Sequence, residues 1–292
     1  VIDSGSGAAK LVTTIRDYAD RKDLELDATT TFEHVRRKLD ALLAAVERAK
    51  TRDANQIDGI LHALGALIPG PMIDMLRGRA RIDIVDLDVS CDQAVAALTA
   101  AVARIGAKAA HIPEALEADA DQWLLTAQRV AAFSEQIDAI AKPEGWQGTA
   151  AAGYHDASTV QRNASVELAG IADGVSDALR LMAGLNRAIF QECAEILVGA
   201  RHEINRAAPD RLGGRTAQAV TTLRKTLRRI NAAAAGGSVE GSSGELADQI
   251  SSTLHSPAIL RPQQWPTGGA MASVAPGDTN RVGGAHGSAT AR

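Results

Sequence analysis

Between Lys142 and Tyr154 the chain reads KPEGWQGTAAAGY. The stretch separates two long segments whose apolar residues recur every three or four positions, the period of a helix buried along one face. Pro143 cannot continue the first helix, because it lacks a backbone donor and its ring collides with the preceding turn. Gly145 and Gly148 accept the positive φ that a tight reversal needs. Trp146 is placed to fold back over the reversal and bury its indole there. Ala150, Ala151 and Ala152 keep the start of the second helix slim, so that two backbones can approach closely. The stretch reads as the turn of an antiparallel helical hairpin.

The two arms extend outward from that turn. The first runs from about Asp88 to Ala141 and carries Val95, Leu98, Val102, Ile105, Trp123, Leu124, Ala127, Val130 and Ile137 on one face. Pro113 lies inside it and is expected to kink or split it. The second runs from about Thr149 to Asn205. Its stripe is Val160, Ala164, Leu168, Ile171, Val175, Leu179, Met182, Ile189, Cys193, Ile196, Ala200 and Ile204, the strongest helical period in the chain. Each arm would reach on the order of 80 Å at 1.5 Å per residue. Val160, Leu168, Ile171, Val175, Leu179, Met182, Ile189 and Ile196 are the expected interface residues.

Upstream, residues 1–80 read as an N-terminal helical region. Leu11, Ile15 and Tyr18 share one helical face. A second helix presents Phe32, Val35, Leu39, Leu42, Leu43 and Val46, with Asp27 or Thr29–Thr31 available as caps and Arg36, Arg37 and Lys38 largely on the other side. Asp53 is expected to cap a separate shorter helix through Ile57, Ile60, Leu61 and Leu64, which Pro69-Gly70-Pro71 must stop. IDIVDLD, residues 82–88, alternates with a period of two. A lone strand would have no partner, so it reads as a linker or a helix start. The hairpin occupies 81–207. A basic amphipathic helix follows within 208–235, and 236–292 is a Gly/Ser/Pro/Ala-rich tail, expected to be disordered apart from a transient helix over Leu246–Leu254.

Composition agrees with this all-α reading of a long antiparallel hairpin with packed N-terminal helices, a bundle of four or more helices. Aromatic residues are 3% and hydrophobic residues 46% of the 292 positions. Alanine-rich helices packed at short separation suit that balance, whereas a β-sandwich or barrel needs more aromatic and β-branched side chains. The formal net charge is −4, but it is unevenly spread. Arg81–Gly145 holds eleven acids against five Lys/Arg, and Ala200–Ala235 eight Lys/Arg against two acids. Such polarity favours ordered docking, or it is simply the solvated side of each helix. Cys91 and Cys193 are too few for a disulfide framework and read as two buried thiols, or as one cross-link if their segments pack side by side. VIDSGSGAAK has no basic region followed by an apolar run, so no signal peptide is expected. The longest apolar stretch, GILHALGALIPGPMIDML at 59–76, is broken by His62, the Pro-Gly-Pro and Asp74. It reads as a core hairpin, with no transmembrane helix expected.

The catalytic constellations are weak. DLDVS at 86–90 has the Asp-x-Asp of phosphoryl-transfer hydrolases, but that loop needs a parallel sheet and the chain has no strand–helix alternation. The run also lacks the glycine and terminal glutamate of a calcium loop. Arg201-His202-Glu203 lacks the second histidine of a zinc helix. No Gly-x-Ser-x-Gly, phosphate loop or Cys-x-x-Cys occurs. No catalytic, metal or cofactor residues are assigned, and no enzyme activity or cofactor is expected. The basic segment TTLRKTLRRI at 221–230 sets Arg224, Lys225, Arg228 and Arg229 on one helix. These could meet an anionic membrane surface or an acidic protein face. With no second basic element or interleaved aromatics, nucleic acid is not the expected partner.

Trp146-Gln147-Gly148, followed by Ala150–Ala152 and Tyr154 and flanked by two long amphipathic helices, resembles the WXG-motif family of type VII (ESX) secretion systems of actinobacteria. The resemblance covers about residues 88–207. It implies a helical-hairpin protein that works by binding, pairing with another hairpin protein or with itself into a four-helix bundle and engaging the secretion machinery. It further implies a secreted or cell-surface location, or a cytoplasmic one if the protein is not itself exported. The family's export signal, Tyr-x-x-x-Asp/Glu, is not matched: Lys22 stands four residues after Tyr18, and Ser158 four after Tyr154. The resemblance therefore implies that a partner carries the signal or that this chain stays inside as a factor of the pathway. The alternatives from other classes are a delivery module for a toxin whose catalytic domain lies outside this chain, a membrane-surface protein acting through 59–76 and 216–230, and an enzyme of unfamiliar type.

Overall fold

The computed structural model describes residues 6–65, 67–142, 144–208 and 213–236. Pro143 and the expected tail beyond Gly236 lie outside these. Every regular element among the described residues is a helix: α1 (Ser6–Lys22), α2 (Phe32–Gly65), α3 (Gly70–Ala109), α4 (Ile112–Ile140), α5 (Thr149–Arg206) and α6 (Gly214–Gly236). The all-α fold follows from the near absence of internal helix breakers. No proline falls between Phe32 and Leu67 or between Thr149 and Arg206, and proline is the residue a helix interior tolerates least.

Three expectations about element boundaries are corrected. The separate short helix after Asp53 does not exist, because α2 runs unbroken to Gly65. Residues 82–88 are neither a linker nor a helix start. They lie inside α3, where Leu87, Cys91, Ala94 and Leu98 continue a step of three or four toward the core and make the alternating pattern incidental. The boundary expected at residues 80 and 81 consequently falls within a helix. The split at Pro113 is observed: α3 ends at Ala109, the Ala110 N–H bonds to the Gly106 carbonyl at 3.0 Å, and Pro113 sits in the first turn of α4, where its missing donor costs nothing.

The chain forms two compact units. Among the described residues, one is built on Ile15–Glu117 and residues 180–236, the other on Ala118–Leu179 together with residues 6–14.

In the first of these, α2, α3, α6 and the Arg180–Arg206 part of α5 share a single core. Val35, Leu39, Leu42 and Val46 from α2 join Cys91, Leu98 and Val102 from α3, Phe190, Leu197 and Ile204 from α5, and Leu223 and Ile230 from α6. This is the expected bundle of at least four helices. The α2–α3 pair is antiparallel, as nested contacts show: Gly65 lies beside Ile73, Lys50 Nζ donates to Asp92 Oδ1 at 3.0 Å, and Gly106 faces the Phe32 ring. Phe32 meets Phe190 edge-on, with centroids 5.8 Å apart. Near the start of α4, Glu117 receives both guanidinium nitrogens of Arg187 on α5, the second at 2.7 Å. This forked pair holds the arginine's pKa above its ordinary value, first through the hydrogen bond itself. The two cysteines are buried and unpaired.

In the second unit, α4 from Ala118 and α5 up to Leu179 form an antiparallel hairpin. Asp138 pairs with Arg162 at 2.9 Å near the turn, and the Ser176 hydroxyl donates to the Ala120 carbonyl at 2.8 Å further down. The residues withdrawn from water here are small. They include Ala120, Ala127 and Ser134 on α4, and Ser158, Ala164, Ser165, Ala172, Ser176 and Ala178 on α5, with Ile137 and Ile171 as the larger members.

Candidate functional site

The turn between α4 and α5 has the backbone its sequence requires. Gly145 has φ 78° and Gly148 φ 98°, the left-handed region that glycine enters at little cost. The Ala152 N–H bonds to the Gly148 carbonyl at 3.1 Å and starts α5. One turn into α5, Tyr154 meets Trp146, with ring centroids 5.3 Å apart and planes inclined by 55°. Trp146, Gly148 and Tyr154 are thus brought together as one local feature. The expected burial of the indole is corrected: Trp146 remains 48% exposed and rests on Tyr154 rather than under the hairpin end.

The expected interface stripe is also redistributed. Ile171, Ile189 and Ile196 are buried, Val175, Leu179 and Met182 are half-buried, and Val160 and Leu168 are exposed. The reason is the size of the contacting residues. Alanine and serine let two helices approach closely, so the small side chains beside the stripe take the hairpin seam and the larger ones are left outside. Leu125, Phe133 and Ile140 on α4 and Val160, Val166 and Leu168 on α5 are accordingly exposed in the same unit as Trp146. Single exposed apolar residues are routine in folded proteins, whereas here six large ones are exposed on one two-helix hairpin. The α4 residues, spaced at eight and seven, could have been found from the sequence as a second apolar period beside the chosen one.

Polar constellations are less organised. A cleft of about 810 Å³ lies between the end of α5 and the start of α6, lined by His202, Glu203, Arg206, Gln218 and Thr221. Its central carboxylate is already engaged by Gln218 at 3.4 Å and Lys225 at 3.6 Å. Arg224, Lys225, Arg228 and Arg229 all stay solvent-exposed on α6. A smaller cleft of about 500 Å³ near the end of α1 gathers Asp20, Asp23, Glu25, Glu192 and Glu195, with Gln191 donating toward Glu25 and Glu195 at 3.3 Å each. Among the described residues no three His, Cys, Asp or Glu side chains converge as metal ligands. Asp86 and Asp88, the Asp-x-Asp pair, lie in the interior of a helix and not on a loop.

Within Gly70–Ile140 an 18-residue window reaches a mean hydropathy of 1.3, long and apolar enough by composition alone to cross a membrane. Of that window 22% is buried, and the same stretch contributes Cys91, Leu98 and Val102 to the core.

The class defined by these observations is an all-α helical bundle with a glycine-hinged, tryptophan-tipped hairpin. Compared with known proteins, the chain matches no family model, no curated protein and no solved structure.

Proposed function

We propose that the protein acts without catalysis, as a protein–protein interaction partner in a type VII secretion pathway. The observation that carries this reading is the exposed apolar set on the α4–α5 hairpin: Leu125, Phe133, Ile140, Val160, Val166 and Leu168, together with a half-exposed Trp146 at the turn. Covering such a set requires a second apolar surface of similar length, and the simplest is another helical hairpin, from a partner or from a second copy. The Trp-x-Gly turn supports the association with type VII secretion by resemblance. Tyr154 leads to Ser158, whose buried hydroxyl turns back to the Tyr154 carbonyl at 2.8 Å, so the export signal would come from the partner.

The test is export. The chain is expressed in a mycobacterial host with an intact type VII system and in one lacking the secretion ATPase, with a lysis control. ATPase-dependent appearance in the culture filtrate, lost when Phe133→Asp and Ile140→Asp are combined, is the expected result. Export of the variant at the wild-type level would remove the hairpin face from the function. Retention of the wild-type chain in both hosts would remove it from the exported set.

A further inference from the structure

We infer that the free end of the α2–α3 pair is a docking tip for an anionic lipid bilayer. The inference is independent of the hairpin reading above and concerns different residues. The shared core of α2, α3, α5 and α6 takes no α2 residue after Ala49 and no fully buried α3 residue before Cys91. The start of α6 is fixed at that level, with Thr216 held by Asp53 of α2 and Gly213 close against Leu87 of α3. The two helices therefore continue past the core as a projecting pair, and the α3 part from Gly70 to Asp86 alone extends about 25 Å at 1.5 Å per residue.

This projection is closed internally and open externally. Ile57, Leu61 and Ile73 are buried, with Ile73 against Gly65. Leu67 is 81% exposed, Met75 66% and Met72 55%, and Ile60, Leu76 and Val85 are exposed as well. Five of these, between Ile60 and Leu76, lie toward the end of the pair, and keeping them in water is unfavourable.

Charge selects the occupant. From Gly59 to Leu76 the only acid or Lys/Arg is Asp74, and Arg77 lies 3.5 Å from it. The next five residues, 77–81, contain three arginines and no acid. Arg77 and Arg79 are exposed. An apolar end followed at once by exposed cations matches a bilayer in depth order: hydrocarbon for Leu67, Met72 and Met75, and anionic headgroups for Arg77 and Arg79. Methionine, unbranched and adaptable, suits a fluid environment.

The full chain is tested by flotation with neutral phosphatidylcholine vesicles and with vesicles containing phosphatidylserine, while circular dichroism monitors the fold. Binding to the anionic vesicles that weakens with salt is expected. Leu67→Asp with Met75→Asp should lower partitioning by about tenfold or more, the effect of two apolar side chains kept in water. Arg77→Gln and Arg79→Gln should each lower it by about fivefold. A fluorophore on Met72→Cys, with Cys91 and Cys193 buried and unreactive, should shift to the blue on anionic vesicles. The proposal is overturned if the wild-type chain does not float, or if the Asp variant floats equally well. It is also overturned if neutralising Arg224, Lys225, Arg228 and Arg229 abolishes binding while the tip variants do not. A tip that instead holds two copies together, seen as a dimer lost in the Asp variant with no vesicle binding, likewise overturns it.

Discussion

The carboxylate of Asp53 on α2 caps a helix that begins more than 160 residues later. Its Oδ2 accepts from the Thr216 backbone N–H at 2.7 Å and from the Thr216 hydroxyl at 2.9 Å, while Arg215 stands 3.6 Å from Oδ1 and donates to Gln56 at 3.0 Å. Both residues are about 3% exposed, so the pair satisfies one of the free donors of the α6 terminus where water cannot. Asp53→Ala leaves that donor buried and unpaired. It is expected to cost about 2–3 kcal/mol in urea unfolding. Thr216→Val keeps the N–H bond and should cost about 1 kcal/mol. Equal costs for the two variants would show that the hydroxyl, not the helix terminus, is what Asp53 serves.

That pair also shows where sequence reading stops. The aspartate is legible as a cap, but its place in the sequence points to the nearest helix start. Side-chain caps are usually local, and nothing in a linear pattern reveals one that spans the fold. The hairpin turn, by contrast, was readable because its signals are local: glycines that need positive φ, a proline, and two periodic arms. The Pro113 split was readable for the same reason. The error in the α5 stripe has a different origin. A period of three to four fixes the side of a helix only to within a residue or two. In Ala-rich helices hydrophobicity does not distinguish the seam, made of Ala164, Ala172 and Ser176, from the exposed Val160 and Leu168 beside it.

Close packing at two helical glycines gives a sharper prediction. A Cβ added to Gly184 would meet the Leu26 backbone carbonyl at 2.2 Å, and one at Gly106 would meet the Phe32 ring at 2.2 Å. Gly170 and Gly78, also helical, have open space. Gly170→Ala and Gly78→Ala should stabilise by up to about 1 kcal/mol through helix propensity. Gly184→Ala should destabilise by about 2–3 kcal/mol, since a backbone carbonyl cannot rotate away as a side chain can. Gly106→Ala should fall between, as Phe32 can shift at the expense of its contact with Phe190. Thermal melts of the four variants check the order.

Burial pushes the Cys91 thiol up to about 11, against the opposing charge of Lys50, and the Cys193 thiol up to about 12. Both stay protonated at neutral pH, so iodoacetamide should modify neither in the native chain and both after unfolding. The stability consequence has a definite sign. Below the ordinary thiol value of 9.0, the group is neutral in both states and its contribution is fully present. Above it the unfolded chain ionises first, and stability falls until the folded thiols titrate as well. The urea midpoint should therefore drop between about pH 9 and pH 11, and less steeply in Cys193→Ala. An unchanged slope in that variant would place the alkaline loss elsewhere.

The indole of Trp146 separates folding from binding. Resting on Tyr154 and half exposed, it has little to lose within the chain. Trp146→Ala should cost about 1 kcal/mol of stability, the range of one aromatic pair, and not the ~3 kcal/mol of a fully buried ring. Tyr154→Ala should cost a similar amount, and the double variant less than the sum, because the two residues share one contact. The larger effect belongs to association. If a second hairpin covers Leu125, Phe133 and Ile140, the exposed half of the indole is buried with them. Trp146→Ala should then weaken that complex by about 2 kcal/mol or more, as a central aromatic anchor does. Analytical ultracentrifugation of the chain, alone and with a co-purified partner, reads this directly. Loss of stability without loss of association would make the tryptophan a turn residue and nothing more.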